Sequence, residues 1–570
     1  MPRPLPQLRG FHPPPPPPSP PSPLSPRVDH LPDASSLVIA ARHDGSETIL
    51  PEHAQRTTTQ NRGGSNDTLS PQIFGFEQAR DYGHFVVAEK PHESVGFLHP
   101  SLNKARLDIA KQWARILLII MTFIIMVLSL YWAVLYGVED NMRVLTVHVV
   151  DFDGLVAPYD NVTPIVGPLI TNLTKEMYGS EGRSLGYVSL HPSDFDYDTM
   201  AVRRGVYDWD SWAAVIVNAN ATALLLEAAA TGNASYDPTG AVQYIIQTAR
   251  QETTFGNYIN PQLQLLSRQF AARFGPLWTQ ALMSNSSSYD PDTLARAPAA
   301  VNPGVTPLTI DLRPFAPATA TPAVSIGLIY LIIVAFFSFP FFLPIHMQFI
   351  ADPRHPRLHF WQFVLWRYGT TVLAYFFVSL IYSLVPVAFQ IPFWHAPGSA
   401  TEPAFNATAY GRGSFAVYWM VNFVGMNALG FACENMAMLL GQPWTAFWLI
   451  SWVITNVSTA FYSLDLAPRF FRWGYAWPLH HIVQASRQIL FDLRSDIGFH
   501  FGILFAWIAV NTLLFPFCCY SMRWRAERGQ RAAEAGKDRY TVKTLTGDVD
   551  VPKKEGMLPP IRKRGFMRGV

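Results

Sequence analysis

Six apolar stretches divide the 570-residue chain unevenly: one at 116–136, then a wide hydrophilic gap, then five between 324 and 520. A run of about 20 apolar residues without charge is long enough to cross the roughly 30 Å hydrocarbon core as a helix. The gap at 138–322 is polar enough to fold in water. This layout predicts a polytopic α-helical membrane protein of six transmembrane helices, one plus five, with an α/β extracytoplasmic domain inserted between the first and second. Only 15% of residues are charged, against about 25% in soluble domains, as expected of a chain with much of its surface in lipid.

Charge placement sets the expected topology. Lys104, Arg106, Lys111 and Arg115 precede the first span, and Glu139 and Asp140 follow it. The positive-inside rule then puts the N-terminus in the cytoplasm and 138–322 outside or in a lumen. Span two (324–345) exits to a loop holding Arg354, His355, Arg357 and Arg367. Spans three to six follow at 369–389, 415–440, 444–463 and 499–520, and Arg523, Arg525 and Arg528 return the chain to the cytoplasm. The basic segment 464–498 strains this scheme, because it must face outward. No cleavable signal peptide is expected, since the first apolar stretch is long and far from Met1.

Residues 1–100 read as a disordered cytoplasmic tail in which Pro13–Pro26 would form polyproline II, an SH3- or WW-type ligand or a solvated tail. Arginines without acids before Asp29 faintly suggest a transit peptide, but no amphipathic helix accompanies them. The tail 526–570 is also polar. Its basic cluster, Lys553 to Arg568, would touch anionic lipid or remain solvated. In the outer domain, Val144–Val150, Leu185–Leu190 and Ala213–Val217 read as strands, and Ala219–Ala230 and Ala241–Thr253 have helical composition. Glycosylation sequons stand at Asn172, Asn220, Asn233 and Asn285, with another at Asn406 and a poor one at Asn161 because of Pro164. Cys433, Cys518 and Cys519 all lie in expected spans, so the outer domain has no disulfide.

Enzyme signatures are nearly absent. Gly536-Lys537 is followed by Asp538 and makes no phosphate loop, and neither HExxH nor paired CxxC occurs. Gly182-Arg-Ser-Leu-Gly186 matches a nucleophile elbow but lacks the strand before it and the helix after it, so a glycine turn is the better account. The expectation is a non-enzymatic protein without cofactor or metal. Inside the expected spans, Asn427, Gly430 and Glu434 share one helical face, with Asn422 and Asn435 nearby. An acid in a span costs roughly 2.5–3.5 kcal/mol to insert, so Glu434 should face protein or water. It is either a substrate or proton site or a helix-end carboxylate near the cytosolic interface. Ser451, Thr455, Ser458, Thr459 and Tyr462 form a hydroxyl stripe, read as close helix packing or as a polar path for an amphiphile. If the protein is a permease, Glu434, Asn427, Ser451, Thr455 and Thr459 would line that path. The segment 468–494 reads as an aromatic and basic belt followed by an amphipathic helix on or dipping into the outer leaflet. Its apolar stripe runs from Leu479 to Leu493, with His480, Gln484, Arg487 and Arg494 opposite. His480-His481 alone makes a weak metal pair.

Several stretches resemble the fungal nitrosoguanidine-resistance family: Leu128–Gly137, Val149-Val-Asp-Phe-Asp-Gly154, Trp212–Thr222, Glu434-Asn-Met-Ala-Met438, Trp452–Ser458 and Gly474-Tyr-Ala-Trp-Pro478. The likeness covers about 93–525. That family is distantly similar to phage-infection-type membrane proteins and to the membrane domains of type 2 ABC exporters. The resemblance implies a plasma-membrane protein with re-entrant helices before its last span, acting in resistance by export or by altering the transbilayer distribution of lipids. It carries no ATPase of its own. The implied partners are membrane lipids, an amphiphilic small molecule and a second copy of the chain, and no nucleic acid. A structural or regulatory scaffold acting through the outer domain is the alternative.

Overall fold

The structure is a computed structural model that describes residues 94–180, 183–284, 289–351, 356, 358–395, 410–441 and 443–546. The polyproline run, Gly182, Asn285, Asn406, the loop cations Arg354, His355 and Arg357, and the basic C-terminal cluster lie outside the described residues.

Helix α1 (Asn103–Ala133) begins well before the apolar stretch, and Val127 is its one buried residue. It leans on the bundle through its aromatic side chains. The Phe123 ring meets Phe447 edge-on at 4.6 Å, and Tyr131 reaches Tyr462 at 3.4 Å between hydroxyls. The chain then enters the sheet domain. Its elements are β1 (Thr146–Asp151), α2 (Val166–Gly179), β2 (Gly186–Leu190), α3 (Thr199–Tyr207), β3 (Ala213–Val217), α4 (Ala221–Thr231), β4 (Val242–Ile246), α5 (Asn260–Ser284) and β5 (Leu308–Asp311). The strand order is β2-β1-β3-β4-β5. All neighbours are parallel except β3 and β4, which run antiparallel.

Side chains alternate across a strand, and that alternation builds two cores. Val147, Val149, Val215, Val217, Tyr244 and Ile246 pack under α2, α4 and α5. Val150, Ala214, Ile216 and Ile245 face the other way, towards Val202 and Val206 of α3. The helix expected over Ala241–Thr253 is instead β4. Its core, Val-Gln-Tyr-Ile-Ile, is β-branched and aromatic, and such residues favour a pleated, buried surface over a helix. Ser184 is buried on the approach to β2, after a helix and before a strand, the reverse of a nucleophile elbow.

Among the described residues, five helices are long and apolar enough to cross a membrane: α1, α6 (Ile329–Ala351), α7 (Phe360–Ala388), α8 (Ser414–Leu440) and α11 (Ile497–Thr546). The fifth expected span, which is α9 (Trp444–Ala460), has 17 residues. At 1.5 Å per residue it is about 25 Å long, short of a full hydrocarbon core. Helix α8 is central: 67% of its apolar window is buried, against 6–39% for the other four. Helix α11 continues to Thr546, into the segment expected as a tail from 526.

Between α9 and α11 lie a 3-10 segment (Arg469–Ala476) and the short α10 (Pro478–Phe491). The amphipathic expectation for this segment is corrected. Leu479, Ile482, Val483 and Leu490 are buried, but so is Arg487 on the supposedly exposed side, with His480 and Gln484 half-buried there and only Arg494 exposed; His481 and Gln488 are buried as well. Arg487 meets the sheet domain, and His481 and Gln488 both meet His500 of α11, so α10 is packed on several sides.

Candidate functional site

Four residues bring a helix back to nearly the same face. On α7 that spacing selects Arg367, Thr371, Tyr375, Ser379 and Ser383, all buried in an otherwise apolar helix. The stripe lies along α8 and forms a polar seam down the bundle. Asn422 donates to Ser383 Oγ at 2.9 Å, and Trp419 Nε1 to Ser379 Oγ at 3.2 Å. At Gly430 the helices come so close that the Tyr375 hydroxyl occupies the space a Cβ would need. Tyr375 donates to the Ala335 carbonyl at 3.0 Å and lies 3.0 Å from Ser338 Oγ, which ties α6 to the seam.

The seam ends on a charge pair. Arg367 Nη2 lies 3.3 Å from Glu434 Oε2, and the two side chains are 1% and 2% exposed. Glu434 Oε1 accepts from Thr371 Oγ1 at 3.1 Å and from Ser338 Oγ at 3.3 Å. Soft groups surround the guanidinium: Met438 Sδ at 2.7 Å, Met522 Sδ at 3.7 Å, and the rings of Phe339 and Phe515 at 5.5 and 5.6 Å. Sulfur and π faces solvate a cation weakly compared with water, and Arg367 Nε has no hydrogen-bond partner among the described residues. The pair is therefore held chiefly by Coulomb attraction in a place of low dielectric. Separating it leaves an uncompensated charge, the costly way to open a buried pair. The pair lies near the start of α7 and the end of α8, at the bundle end away from the sheet domain.

The expected path residues are not gathered here. Glu434 joins the seam, but Asn427 donates to the Phe423 carbonyl of its own helix. Ser451, Thr455 and Thr459 hydrogen-bond back to the carbonyls of Phe447, Ser451 and Thr455 on α9. Thr455 also accepts from Trp477 Nε1 at 3.2 Å, and a Cβ on Gly474 would strike Thr459 Cβ at 2.5 Å. These contacts are those of a close-packed helix face. Arg367, expected in a loop, belongs to α7 near its start; the four-residue repeat from Arg367 to Ser383 is the sequence signal that marks it. Among the described residues no three metal-binding side chains cluster. His481 instead lies 2.8 Å from the Tyr475 carbonyl and 3.0 Å from His500, ring nitrogen to ring nitrogen.

At the opposite end, α10 clamps the sheet domain to the bundle. Arg487 pairs with Glu252 at 2.5 Å, donates to the Ala249 carbonyl at 3.1 Å and lies over the Phe315 ring. Arg313 pairs with Asp492 Oδ2 at 2.9 Å and donates through Nε to the Asp492 carbonyl, which also accepts from the Tyr207 hydroxyl. Asp492 has φ 53°, in the left-handed region that ends α10. Gln251 Nε2 adds a bond to the Phe461 carbonyl. Towards the bundle, Gly425 admits Ile482, whose Cδ1 lies 2.5 Å from where a Cβ would stand.

In the sheet domain, β1 feeds β2 on one side and lies beside β3 on the other, a switch point at which doubly wound sheets often bind ligands. Here the protein's own acids fill it. Asp153 accepts from Gly167 N, Thr222 N and Thr222 Oγ1 at 3.2, 2.9 and 2.5 Å. Gly167 has no room for a Cβ because the Asp151 carboxyl occupies that space. The first turns of α2 and α4, which would attract an anion, are thus capped internally. Burial raises the Asp151 pKa to about 6, and neighbouring Asp153 adds to the rise against a backbone hydrogen bond that opposes it. Since the folded value lies above the unfolded one, the stabilisation is fully present below about pH 4 and is lost as pH rises through 6. The full effect is at most about 3 kcal/mol. Asp151→Asn keeps the acceptor oxygen and is expected to flatten this part of the melting-temperature profile between pH 4 and 7; an unchanged profile would refute the assignment.

A bundle of apolar helices interrupted by an inserted sheet domain, with a charge pair buried between two of its helices, defines an integral membrane protein of polytopic type. Within that class, the chain belongs to the family described as a protein of unknown function (DUF3533), which it matches over residues 116–513. It is 28% identical over 447 residues to an uncharacterized endoplasmic reticulum membrane protein of Saccharomyces cerevisiae, covering 75% of this chain and 83% of the relative. No solved structure matches the chain.

Proposed function

We propose that the protein assists export or transbilayer redistribution of lipids or amphiphilic toxicants, of the nitrosoguanidine-resistance type, without an ATPase of its own. The observation that carries this reading is the Arg367–Glu434 pair at the foot of a polar seam. Intramembrane ionisable residues are costly to insert and commonly mark a substrate or proton pathway. The seam offers hydroxyl, amide and charged groups along α7 and α8, while apolar faces of the same bundle suit lipid chains. The test compares redistribution of labelled phospholipid and efflux of nitrosoguanidine in cells with and without the protein. Equal rates in both would sink the proposal.

The family resemblance favours the plasma membrane, whereas the yeast relative's description favours the endoplasmic reticulum; we infer the latter, supported by alignment over most of both chains. Both termini would be cytoplasmic and the sheet domain lumenal. Asn233 is the best placed of the described sequons, because it and Ser235 are exposed in one turn. Asn172 is exposed on α2, but Thr174 beside it is buried, and at Asn220 the Thr222 hydroxyl is committed to Asp153. Asn233→Gln is expected to remove one glycan-sized step on endoglycosidase H digestion. A chain with no glycan at any sequon would count against the lumenal placement.

A scaffold acting through the sheet domain is the second reading. The α10 clamp weighs against it, because the two parts share buried ion pairs. A truncated chain retaining α1 and the sheet domain alone is therefore expected to be inactive.

A further inference from the structure

We propose that the cavity where the sheet domain meets the bundle binds the phosphate-and-ammonium headgroup of a zwitterionic phospholipid, an inference that rests on the lipid-handling reading above. The cavity holds about 190 Å³, and Tyr207, Asp208, Phe393, Tyr410, Asp492 and Arg494 contribute to its lining. Its position is fixed by helix ends. Helix α7 stops at Ala388, α8 starts at Ser414, α10 stops at Phe491 and α11 starts at Ile497, so the cavity opens at the rim of the bundle. Phe389, Trp394 and Phe499 are exposed around that rim at 65, 56 and 63%, as aromatic side chains are at a membrane–water interface.

The lining chemistry has two signs. Asp492 is already neutralised by Arg313 at 2.9 Å. Arg494 is 45% exposed; its Nη1 donates to the Asp208 carbonyl at 2.5 Å, and its Nε lies 3.6 Å from Asp496, too long for a hydrogen bond. The Asp208 carbonyl thus fixes the guanidinium at the cavity wall, to which Asp208 itself also contributes. A guanidinium suits a phosphate, and a lining that combines an acidic residue, Asp208, with the aromatic residues Tyr207, Phe393 and Tyr410 suits an ammonium group. A purely anionic headgroup would meet Asp208 unfavourably.

Size argues for a headgroup and not a whole amphiphile. Sites that engulf a drug-sized ligand measure roughly 300–1,000 Å³. A smaller cavity at the rim takes the polar end, with Phe393, Ile489 and Leu493 on its apolar side and the acyl chains left in the bilayer. Because Asp492 belongs both to this lining and to the α10 clamp, a bound headgroup would touch the joint between the two parts.

The test uses the full-length protein in nanodiscs of phosphatidylcholine or phosphatidylglycerol, with retained lipid counted by native mass spectrometry. Retention of phosphatidylcholine is expected to exceed that of phosphatidylglycerol about tenfold. Arg494→Ala and Asp208→Asn should each lower it by about the same factor, and Ser495→Trp should lower it by filling the mouth from an exposed position. Arg412→Ala, an exposed cation outside the lining, should retain lipid normally. Competition by soluble glycerophosphocholine would assign binding to the headgroup alone, and failure to compete would assign it to the membrane-embedded lipid. Equal retention of the two lipids, or normal retention in all three cavity variants, would overturn the proposal. Normal retention in a protein that redistributes no lipid would overturn the transport reading and leave this site standing.

Discussion

Arg367→Ala is expected to destabilise the protein by about 3–5 kcal/mol, because it leaves the Glu434 carboxylate buried without its cation. Glu434→Gln should do the same in the opposite sense, stranding a guanidinium among methionine sulfurs and phenyl faces. The informative variant is the double replacement Arg367→Met with Glu434→Leu. Removing both charges of a buried pair is often neutral or stabilising, so the double variant should melt near the wild type. If the pair serves function, it should also be inactive in lipid redistribution and resistance at normal abundance. A folded and fully active double variant would assign the pair to structure alone, and a double variant as unstable as the singles would contradict the energetic account.

Arg487→Ala is expected to free the sheet domain from the bundle. It removes the partner of Glu252, a bond to the Ala249 carbonyl and the contact with Phe315. Arg487 is 1% exposed and Glu252 23%. The pair lies at a domain joint and not in lipid, so water can partly rescue Glu252, and a loss of about 2–4 kcal/mol is expected. Limited proteolysis should then cut the 313–328 connection far faster than in the wild type, while the sheet domain stays resistant. Uniform loss of resistance across both parts would mean that Arg487 supports the fold at large. Arg487→Lys keeps the charge but not the fork, so it should recover only part of the protection.

Hydropathy made the membrane helices legible because a lipid-facing helix must be apolar along its whole length. It also placed β3 at Ala213–Val217, since a fully buried strand reads as a short apolar run. The same signal misled at Ala241–Thr253, where five residues of strand lie between polar turns and the averaged composition looks helical. Glu434 stood out because an acid in a span is conspicuous, but its partner did not. Arg367 sits where a span begins, and cations there are usually read as loop charges snorkelling to water. The clamp was hidden for a different reason. Arg487 and Glu252 come together across 14-residue α10 and the sheet domain, and neither position carries a local pattern that names a partner so distant. An amphipathic stripe shows that a helix has a polar side; it does not say whether water or another domain will meet it.

The α10 clamp also orders the protein's own synthesis. Asp492 follows Arg313 by 179 residues, and Arg487 follows Ala249 by 238. Domains made first fold first, so the sheet domain leaves the ribosome while the socket that neutralises Arg313 and Glu252 does not yet exist. Four helices, α6 to α9, must be laid down before α10 arrives to close the joint. During that interval the nascent chain carries a bare cation, a bare carboxylate and the uncovered Phe315 ring at the membrane surface, a surface signature by which a folding factor could tell an unfinished molecule from a finished one. A ribosome that stalls anywhere between β5 and α10 would leave that signature on display.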